Sequence, residues 1–263
     1  MKIAIIGAGN MGSAMISAWL DKKVCKPGDI LVYGKHFRKL EIRNSKFEVK
    51  VGDFSRIKNY DFVVLAVKPM DILSVAKDIK PHLSKKTIVI SIAAGVEIKK
   101  IQSVLSGTKI VRAMPNMPAQ VGMGMVGWTT KSHLSSKEKT DVHKLLGSLG
   151  SDIYFKKEES LDAVTAISGS GAAYVFYFME ALYEAAKKIG LKDEEAKHLT
   201  LGTFIGSSVM TSLTELSPSD LRAKVTSKGG TTEAAIKVFY KKKLKKIISD
   251  AVNAAYNRAK QLK

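Results

Sequence analysis

A glycine-rich turn near the start of the chain carries the clearest chemical signal. The spacing G-x-G-x-x-G follows an apolar run and opens a segment with helical periodicity. Its residues are Ile6, Gly7, Ala8, Gly9, Asn10, Met11 and Gly12. In this context the first glycine permits a tight turn, the second lets the backbone approach a pyrophosphate, and the third lets the helix pack on the strand. Free N–H groups at the helix start suit phosphates, so the segment predicts a dinucleotide-binding site.

The residues after the next apolar run, 30–33, indicate which dinucleotide binds. Enzymes that use NAD usually carry an acidic side chain at this point, where it binds the ribose hydroxyls. Here Gly34 and Lys35 follow the run, and Asp29 precedes it at the wrong end. A glycine followed by a basic side chain suits a 2′-phosphate. The sequence therefore favours NADP, with NAD as the alternative.

The residue pattern gives no support to several other catalytic chemistries. The five histidines are scattered, and the sequence has no Ser/His/Asp triad spacing or Cys/His metal spacing, so no metal is expected. Cys25 is the single cysteine, which excludes an intrachain disulfide and is typical of a reducing, cytoplasmic compartment. The sequence has no run of 18 apolar residues, so a transmembrane span is not expected.

The chain is strongly basic for its length. Its 263 residues include 43 Lys and Arg against 24 Asp and Glu, a formal net charge of +19. A nucleic-acid-binding protein is therefore one alternative. The lysines are scattered, however, and the densest cluster, at 237–246, is typical of a solvated helical face. The charge also suits an anionic cofactor or substrate, and we predict no nucleic-acid or membrane partner.

The elements that must position the glycine turn alternate along the first 157 residues. Predicted strands lie at 2–6, 30–33, 62–67, 87–92 and 109–114, and predicted helices between them at 13–20, 71–82 and 96–105. This alternation predicts an α/β fold with a doubly wound parallel sheet, a Rossmann domain. Two further strands, at 124–130 and 152–155, are expected to close this half.

The second half of the chain reads as helical throughout. Helical segments are predicted at 160–189, 193–213, from 217, and at 244–262. The sequence therefore predicts a dinucleotide-binding domain at 1–157 and an all-helical domain at 158–263. The first of these helices is apolar on every side, which indicates burial in a larger core or against a second subunit.

Four further segments make the sequence resemble the pyrroline-5-carboxylate reductase family. They are A-V-K-P at 66–69, V-R-A-M-P-N at 111–116, D-A-V-T-A-I-S-G-S-G at 162–171 and L-R-A-K-V-T-S-K-G-G-T-T at 221–232. The resemblance covers essentially the whole chain. It departs from the family pattern at Met117, Ala172 and Lys228, where the family commonly has threonine, proline and proline. It implies reduction of 1-pyrroline-5-carboxylate to L-proline by a nicotinamide cofactor, the final step of proline biosynthesis.

The resemblance also assigns residues to the cofactor. It places 6–12 at the pyrophosphate, Gly34 and Lys35 at the adenosine end, and Asn116 near the nicotinamide. The residues expected to line the ribose are Ala66, Val67, Lys68, Pro69, Ser91, Ala93, Ala94 and Gly95. Asp53 stands where the family often has asparagine near the adenosine ribose. Its carboxylate would accept ribose hydroxyls and repel a 2′-phosphate, which argues against NADP.

For the substrate, the resemblance points to a loop between two helical segments. The residues are Ser227, Gly229, Gly230, Thr231 and Thr232, with Glu215 as an acidic residue near the substrate. Two glycines before a helix start offer backbone N–H groups to a carboxylate. Thr232 matches the family position whose hydroxyl faces the substrate nitrogen, so it is the expected catalytic residue. Ser227 is expected to support the loop.

In the family, the helical half dimerises and the active site lies at the interface. The resemblance therefore implies a homodimer or a higher homo-oligomer. One alternative is a related Rossmann-type reductase acting on another imine or a hydroxy acid, with a catalytic lysine or histidine on the helical half. Lys187 and Lys197 lie there, but neither belongs to a matching motif. A second alternative is a non-catalytic NADP-binding protein, which would not need the 229–232 segment.

Overall fold

A computed structural model describes residues 1–36 and 38–262. The strands within those residues are β1 Ile3–Ile6, β2 Ile30–Tyr33, β3 Arg38–Ile42, β4 Ser45–Lys50, β5 Phe62–Leu65, β6 Ile88–Ser91, β7 Lys109–Met114, β8 Gly124–Thr130 and β9 Gly150–Tyr154. The α-helices are α1 Asn10–Asp21, α2 Ile72–Ile79, α3 Ile98–Val104, α4 Ser136–Gly147, α5 Ser160–Val164, α6 Gly171–Lys188, α7 Asp193–Leu213, α8 Pro218–Lys224, α9 Thr231–Lys241 and α10 Leu244–Gln261. A π-helical segment, Thr165–Gly169, follows α5.

The strands form one mixed sheet in the order β3-β4-β2-β1-β5-β6-β7-β8-β9. Two neighbouring pairs, β3 with β4 and β7 with β8, are antiparallel, and the other six pairs are parallel. The predicted Rossmann class is confirmed, with a mixed sheet in place of a purely parallel one. In open sheets of this kind, ligands bind beyond the carboxyl ends of the parallel strands. The loops after β1, β2 and β5 therefore form the edge where a ligand is expected.

The hairpin of β3 and β4 lies where the sequence predicts no strand. Its turn consists of Arg43 and Asn44, whose φ angles are +50° and +58°. Two-residue hairpin turns commonly need positive φ at both positions, and the usual sequence signal for them is Asn-Gly. Arginine rarely adopts positive φ, so that signal is missing here. β4 then pairs in parallel with β2 and places Val49 beside Val32.

The helices also differ from the sequence-based bounds. α2 and α3 are shorter than the predicted segments 71–82 and 96–105, and the predicted helix at 160–189 is divided among α5, the π-helical segment and α6. α4 lies where the sequence predicts no helix. Its start carries a capping box, in which the N–H of Glu138 donates to Ser135 Oγ at 3.3 Å and the N–H of Ser135 donates to Glu138 Oε2 at 2.8 Å.

The central strands of the sheet are buried on both faces. Ile3 and Ile5 of β1 belong to one apolar cluster, and Ala4 and Ile6 belong to a second cluster on the other face. Successive side chains of a strand point to opposite faces. A strand covered on both sides must therefore be apolar at every position, which is why the continuous apolar runs identify the central strands.

The chain divides into two compact units. The first comprises Met1–Ser170 with Ala255–Lys263, and the second comprises Gly171–Ala254. Residues 158–170 and the last nine residues thus fall in the first unit. The domain boundary predicted at residue 157 does not coincide with the boundaries between the two compact units, and it stays a prediction. Among the described residues, no helix is both long enough and apolar enough to cross a membrane.

The second unit exposes many large apolar side chains in the single chain. On α6 they are Val175, Phe176, Tyr177, Phe178 and Leu182, and on α7 they are Leu199, Leu201, Ile205, Val209, Met210 and Leu213. Soluble monomers rarely expose so much apolar surface, and such patches mark protein–protein interfaces.

Candidate active site

The glycine turn is tightly packed at its first and third glycines and open at its second. Gly7 has a φ of +108°, and a Cβ there would lie 2.3 Å from the carbonyl oxygen of Ala66. A Cβ at Gly12 would lie 2.0 Å from the carbonyl oxygen of Gly7, whereas a Cβ at Gly9 would meet no heavy atom within 4 Å. The first and third glycines are therefore needed by the fold. Gly9 leaves open space at the start of α1, where a phosphate can reach the backbone.

A cavity of about 650 Å³ adjoins this turn. Nine of the predicted cofactor residues line it: Ile6, Gly7, Ala8, Gly9, Gly34, Lys35, Ala66, Val67 and Lys68. The cavity thus brings together the residues that follow β1, β2 and β5. The predicted cofactor residues that do not line it are Asn10, Met11, Gly12, Asp53, Pro69, Ser91, Ala93, Ala94, Gly95 and Asn116.

An aromatic pair supports the wall of the cavity beyond β2. The rings of Tyr33 and Phe54 lie 4.8 Å apart between centroids, and both residues line the cavity. The Tyr33 hydroxyl donates to the carbonyl oxygen of Asp53 at 2.9 Å. Burial, together with the Asp53 charge, raises the pKa of Tyr33 to about 12. The phenol therefore stays neutral at physiological pH and forms part of a largely apolar wall.

The carboxylate of Asp53 is exposed and has a local partner. Its Oδ1 accepts the N–H of Ser55 at 2.9 Å, at the start of the 3-10 turn Ser55–Asn59. That backbone hydrogen bond and one from the Ser55 side chain hold the pKa of Asp53 below its usual value. Asp53 itself does not line the cavity, and the expected opposition between its carboxylate and a 2′-phosphate stays a prediction.

Sequence reasoning missed two acidic residues that do line the cavity. Asp71 and Asp78 lie on the same side of α2 and of the turn before it, together with Ser74 and Val75. The spacing i, i+3, i+4, i+7 places these four residues on one helical face. This spacing within the predicted helix 71–82 could have identified them. The Asp71 carboxylate contacts the Lys35 ammonium at 3.0 Å.

The segment predicted to line the ribose after β6 is packed within the first unit. Ser91 and Ala93 are buried, and the Ala93 N–H donates to Ser91 Oγ at 3.4 Å. Ala94 is half-buried. Gly95 has a φ of +75°, and a Cβ there would lie 2.5 Å from the carbonyl oxygen of Leu262. Only glycine fits at position 95, because the backbone at Leu262, directly after α10, lies so close to it.

Asn116 connects two of the sequence motifs. Its Nδ2 donates to Ser168 Oγ at 3.0 Å, and its Oδ1 accepts the N–H of Met125 at 2.9 Å. Next to this contact, a Cβ at Gly169 would lie 2.9 Å from Met114 Cε. The turn after β7 therefore packs closely on the π-helical segment. π-Helical turns are rare and often occur at functional sites.

The sequence reasoning also missed a charge cluster centred on the buried carboxylate of Glu158. Glu158 Oε1 accepts the N–H of Ile98 at 2.7 Å and contacts Arg112 Nη1 at 3.0 Å, while its Oε2 contacts Lys131 Nζ at 2.9 Å. Both Glu158 and Arg112 are about 4% exposed in their side chains. Burial raises the pKa of Glu158, but the bonds from Lys131, Ile98 and Arg112 outweigh it and hold the pKa below its usual value.

In the second unit, the predicted substrate residues from 227 to 232 form a compact loop. The N–H of Gly230 donates to the carbonyl oxygen of Ser227 at 3.1 Å, and a Cβ at Gly230 would lie 2.5 Å from Ser227 Oγ. Gly229 has a φ of +76°. Thr231 begins α9, as expected from the sequence. Thr232 is half-buried, and within the described chain its hydroxyl makes no hydrogen bond.

Glu233 is the unpredicted member of this loop. Its Oε2 accepts the N–H of Gly229 at 3.0 Å and contacts Lys237 Nζ at 3.1 Å. The backbone hydrogen bond from Gly229, followed by the Lys237 contact, holds the pKa of Glu233 below its usual value. Glu215 is exposed on the segment between α7 and α8, and no hydrogen bond joins it to the loop in the described residues. The structure thus brings residues 227–232 together in one loop, and it shows no hydrogen bond from Glu215 to them within the described residues.

The mostly parallel sheet, the glycine turn and the adjoining cavity define a Rossmann-type oxidoreductase that binds NAD or NADP. Family matching agrees: residues 158–262 match the model described as "Pyrroline-5-carboxylate reductase dimerisation", and residues 2–95 match one described as "NADP oxidoreductase coenzyme F420-dependent". The chain belongs to the pyrroline-5-carboxylate reductase family, as full-length relatives establish.

Two curated relatives carry the name pyrroline-5-carboxylate reductase. The protein from Aquifex aeolicus is 38% identical over 100% of this chain and 97% of its own length, and the one from Pseudomonas aeruginosa is 35% identical over 99% and 96%. The predicted resemblance is confirmed, and these relatives give no support to the two alternative functions.

Solved structures agree with the curated relatives. The reductase from Coxiella burnetii is 36% identical, with a TM-score of 0.89 over 99% of this chain and 98% of that one. The Plasmodium falciparum reductase, solved with NADP bound, is 31% identical, with a TM-score of 0.87 over 100% and 98%. The predicted architecture, a Rossmann domain followed by helices of the dimerisation type, is confirmed.

Proposed function

We propose that this chain reduces 1-pyrroline-5-carboxylate to L-proline with a reduced nicotinamide dinucleotide. The observation that carries the proposal is the glycine turn, open at Gly9 beside a cavity of about 650 Å³, in a full-length member of the reductase family. When bound beside the residues that line this cavity, the reduced dinucleotide would supply a hydride to the imine carbon. The protonated imine nitrogen then becomes the amine of proline.

This reaction needs positioning more than acid–base catalysis. A cyclic imine is electrophilic once its nitrogen is protonated, so the protein has to hold the ring, keep the nitrogen hydrogen-bonded and exclude water. We assign the nitrogen contact to Thr232, the proposed catalytic residue. Thr232 is half-buried at the second position of α9. Its hydroxyl makes no hydrogen bond among the described residues, so it is available to a ligand.

The cofactor contacts follow from the cavity lining. In our proposal, residues 6–12 hold the pyrophosphate through backbone N–H groups, and Gly34 and Lys35 contact the adenosine half beside the Tyr33 ring. The segment at 66–69 follows β5 and contacts the ribose. The assignments of Ser91, Ala93, Ala94, Gly95, Asn116 and Asp53 to the cofactor stay predictions.

The substrate carboxylate is assigned to the loop that contains Gly229 and Gly230. Backbone N–H groups before a helix start attract an anion. The N–H of Gly229 already donates to Glu233, and Glu233 also contacts Lys237. A substrate carboxylate would therefore bind the remaining N–H groups near Thr231, with Ser227 keeping the loop compact. The role of Glu215 stays a prediction.

We infer that NADPH is preferred over NADH. Lys35 follows Gly34 at the end of β2, in the position where NAD enzymes carry an acidic side chain. Its ammonium lines the cavity and is 72% exposed, so it is accessible to a phosphate. Lys35→Asp should reverse the preference, and a parent protein with the higher kcat/KM for NADH would contradict it.

We further propose that the chain works as a homodimer or higher homo-oligomer built through the helical unit. The exposed apolar side chains of α6 and α7 support this, as does the match to a dimerisation model over residues 158–262. The cytoplasmic location stays a prediction from the single cysteine.

One assay tests the proposed activity directly. Purified protein is mixed with 1-pyrroline-5-carboxylate and either NADPH or NADH, and the loss of reduced-nicotinamide absorbance is followed beside the formation of proline. We expect substrate-dependent oxidation with one proline formed per dinucleotide oxidised. A protein that binds NADPH but forms no proline would contradict the proposal. Gly9→Val serves as the matched control, because it blocks the pyrophosphate path without filling space that the fold uses.

A further inference from the structure

The charge of the dinucleotide cavity differs from that of the whole chain. The chain has a formal net charge of +19. Among the described residues, however, the charged side chains that line the cavity are two lysines, Lys35 and Lys68, and two aspartates, Asp71 and Asp78. These charges cancel, with His36 counted as neutral. A site for a dinucleotide with an extra phosphate is not expected to carry two carboxylates, so their presence needs a physical explanation.

Asp71 is the carboxylate in direct contact with the residue assigned to the phosphate. Its Oδ2 lies 3.0 Å from Lys35 Nζ, with the two side chains 26% and 72% exposed. Ion pairs at this degree of exposure are weak, because solvent screens the charges and both side chains lose freedom. The pair can therefore rearrange when an anion enters, but the carboxylate competes with that anion for the ammonium.

We propose that Asp71 is a specificity-determining residue that reduces the preference of the cavity for NADPH over NADH. The inference rests on the proposed function, in that the cavity is taken to bind the dinucleotide. A 2′-phosphate must compete with the Asp71 carboxylate for the Lys35 ammonium and then remain near that negative charge. A ribose with a free 2′-hydroxyl has no such cost, since the hydroxyl can donate to the carboxylate while Lys35 stays paired.

The other nearby carboxylates do not have this geometry. Asp53 is exposed and accepts the N–H of Ser55 at 2.9 Å. Asp78 lines the cavity two turns further along α2, and no ion pair joins it to Lys35 in the described residues. Asp78→Asn is therefore a matched control, because it removes the same charge from the same cavity wall without touching the Lys35 pair.

The experiment measures dissociation constants for NADPH and NADH by fluorescence titration, without substrate. The proteins are the parent, Asp71→Asn, Asp78→Asn, Lys35→Ala and the double variant Lys35→Ala/Asp71→Asn. We expect Asp71→Asn to raise the NADPH-to-NADH affinity ratio roughly three- to tenfold, and Asp78→Asn to change it less than about twofold. When Lys35 is already replaced by alanine, Asp71→Asn should change the logarithm of the NADPH-to-NADH affinity ratio by no more than half as much as it does in the parent.

Any one of four results would overturn the inference. The ratio could stay unchanged in Asp71→Asn, Asp78→Asn could raise it equally, or the parent could bind neither dinucleotide. The effect of Asp71→Asn could also persist in full without Lys35, which would remove the pair from the explanation. Failure of the proposed reaction gives a different pattern: the titrations behave as expected, but the parent forms no proline from 1-pyrroline-5-carboxylate.

Discussion

Asn116 and Ser168 are 52 positions apart in the chain, and a hydrogen bond of 3.0 Å joins Asn116 Nδ2 to Ser168 Oγ. Asn116 also accepts the N–H of Met125 through Oδ1. Its amide group is thus bonded at both ends, to the start of β8 and to the π-helical segment. An asparagine that the resemblance places near the nicotinamide is therefore held rigidly by its own neighbours.

Replacing the two partners should give unequal losses of stability. Ser168→Ala removes one hydrogen bond and should lower the free energy of unfolding by about 1 kcal/mol. Asn116→Ala also leaves the Met125 N–H without its partner, so we expect a loss of about 2 to 3 kcal/mol. Urea unfolding measures both. Equal losses in the two variants would mean that the Met125 contact contributes nothing.

Gly9→Val should separate cofactor binding from folding. Its Cβ enters open space, so the fold should persist with a decrease in Tm of about 2–4 °C from the poorer helix cap. Affinity for NADPH should fall at least about tenfold, because the side chain occupies the pyrophosphate path. Gly12→Ala is the contrasting variant: its Cβ would lie 2.0 Å from the Gly7 carbonyl oxygen, so the protein should unfold or lose most of its stability. Unchanged NADPH binding by Gly9→Val would contradict the placement of the pyrophosphate.

Thr232→Ala should impair turnover without affecting the cofactor site. Loss of one hydrogen bond to a charged or developing charged group costs about 1.5 to 4 kcal/mol, or roughly ten- to a thousandfold in kcat/KM for the imine. NADPH affinity should stay at the parent value. Thr232→Ser keeps the oxygen and should lose far less. If the alanine and serine variants are equally impaired, the methyl group matters and the hydroxyl does not.

The Glu158 cluster predicts a specific acid sensitivity. The folded-state pKa of Glu158 lies below its ordinary value of 4.5, so the carboxylate stabilises the fold at neutral pH. That stability is lost as the pH falls below the unfolded value and through the lower folded value. Glu158→Gln should be about 3 kcal/mol less stable at pH 7, because Arg112 stays buried without its counter-charge. It should also lose less stability over that acidic range than the parent does.

Glu138→Gln provides the control for that measurement. Glu138 contacts Lys109 at 2.6 Å, but the two side chains are 23% and 34% exposed. Partly exposed pairs contribute about 1 kcal/mol or less. Urea unfolding of both variants across pH measures the difference. A Glu158→Gln protein as stable as Glu138→Gln, with the acid sensitivity of the parent, would contradict the role assigned to the cluster.

Light scattering of an active sample should give a molar mass of at least twice the 28.7 kDa of one chain. Phe176→Asp on α6 and Ile205→Asp on α7 place charges on side chains that are 52% and 54% exposed in the single chain. If these faces are buried between subunits, each variant should shift the protein towards smaller species or aggregates. Lys188→Glu, at the end of α6, changes charge on a polar position and should leave the mass unchanged. An active parent protein near 28.7 kDa would contradict the assembly.

Strand bounds were predicted most accurately for buried strands, because few residue types fit there. β2 has the predicted bounds, since a strand covered on both faces is apolar throughout. β7 and β8 also have the predicted bounds, although β7 carries Lys109 and Arg112. The β3–β4 hairpin could not be predicted, because its turn places Arg43 in a conformation that its residue type disfavours. At the site, motif spacing identified the turn around Gly9. The partners of Asp53 and Asp71 depend on side-chain direction, which spacing alone does not determine.

The chain passes between the two compact units twice, after Ser170 and after Ala254. In chain order, the helical unit is therefore an insertion within the dinucleotide-binding unit. A single proteolytic cut at either crossing would leave the units covalently joined through the other, and only cuts at both would release residues 171–254. A fragment that stops at residue 170 would also lack the C-terminal segment of its own unit, which includes Leu262. The carbonyl oxygen of Leu262 lies so close to position 95 that only glycine fits there.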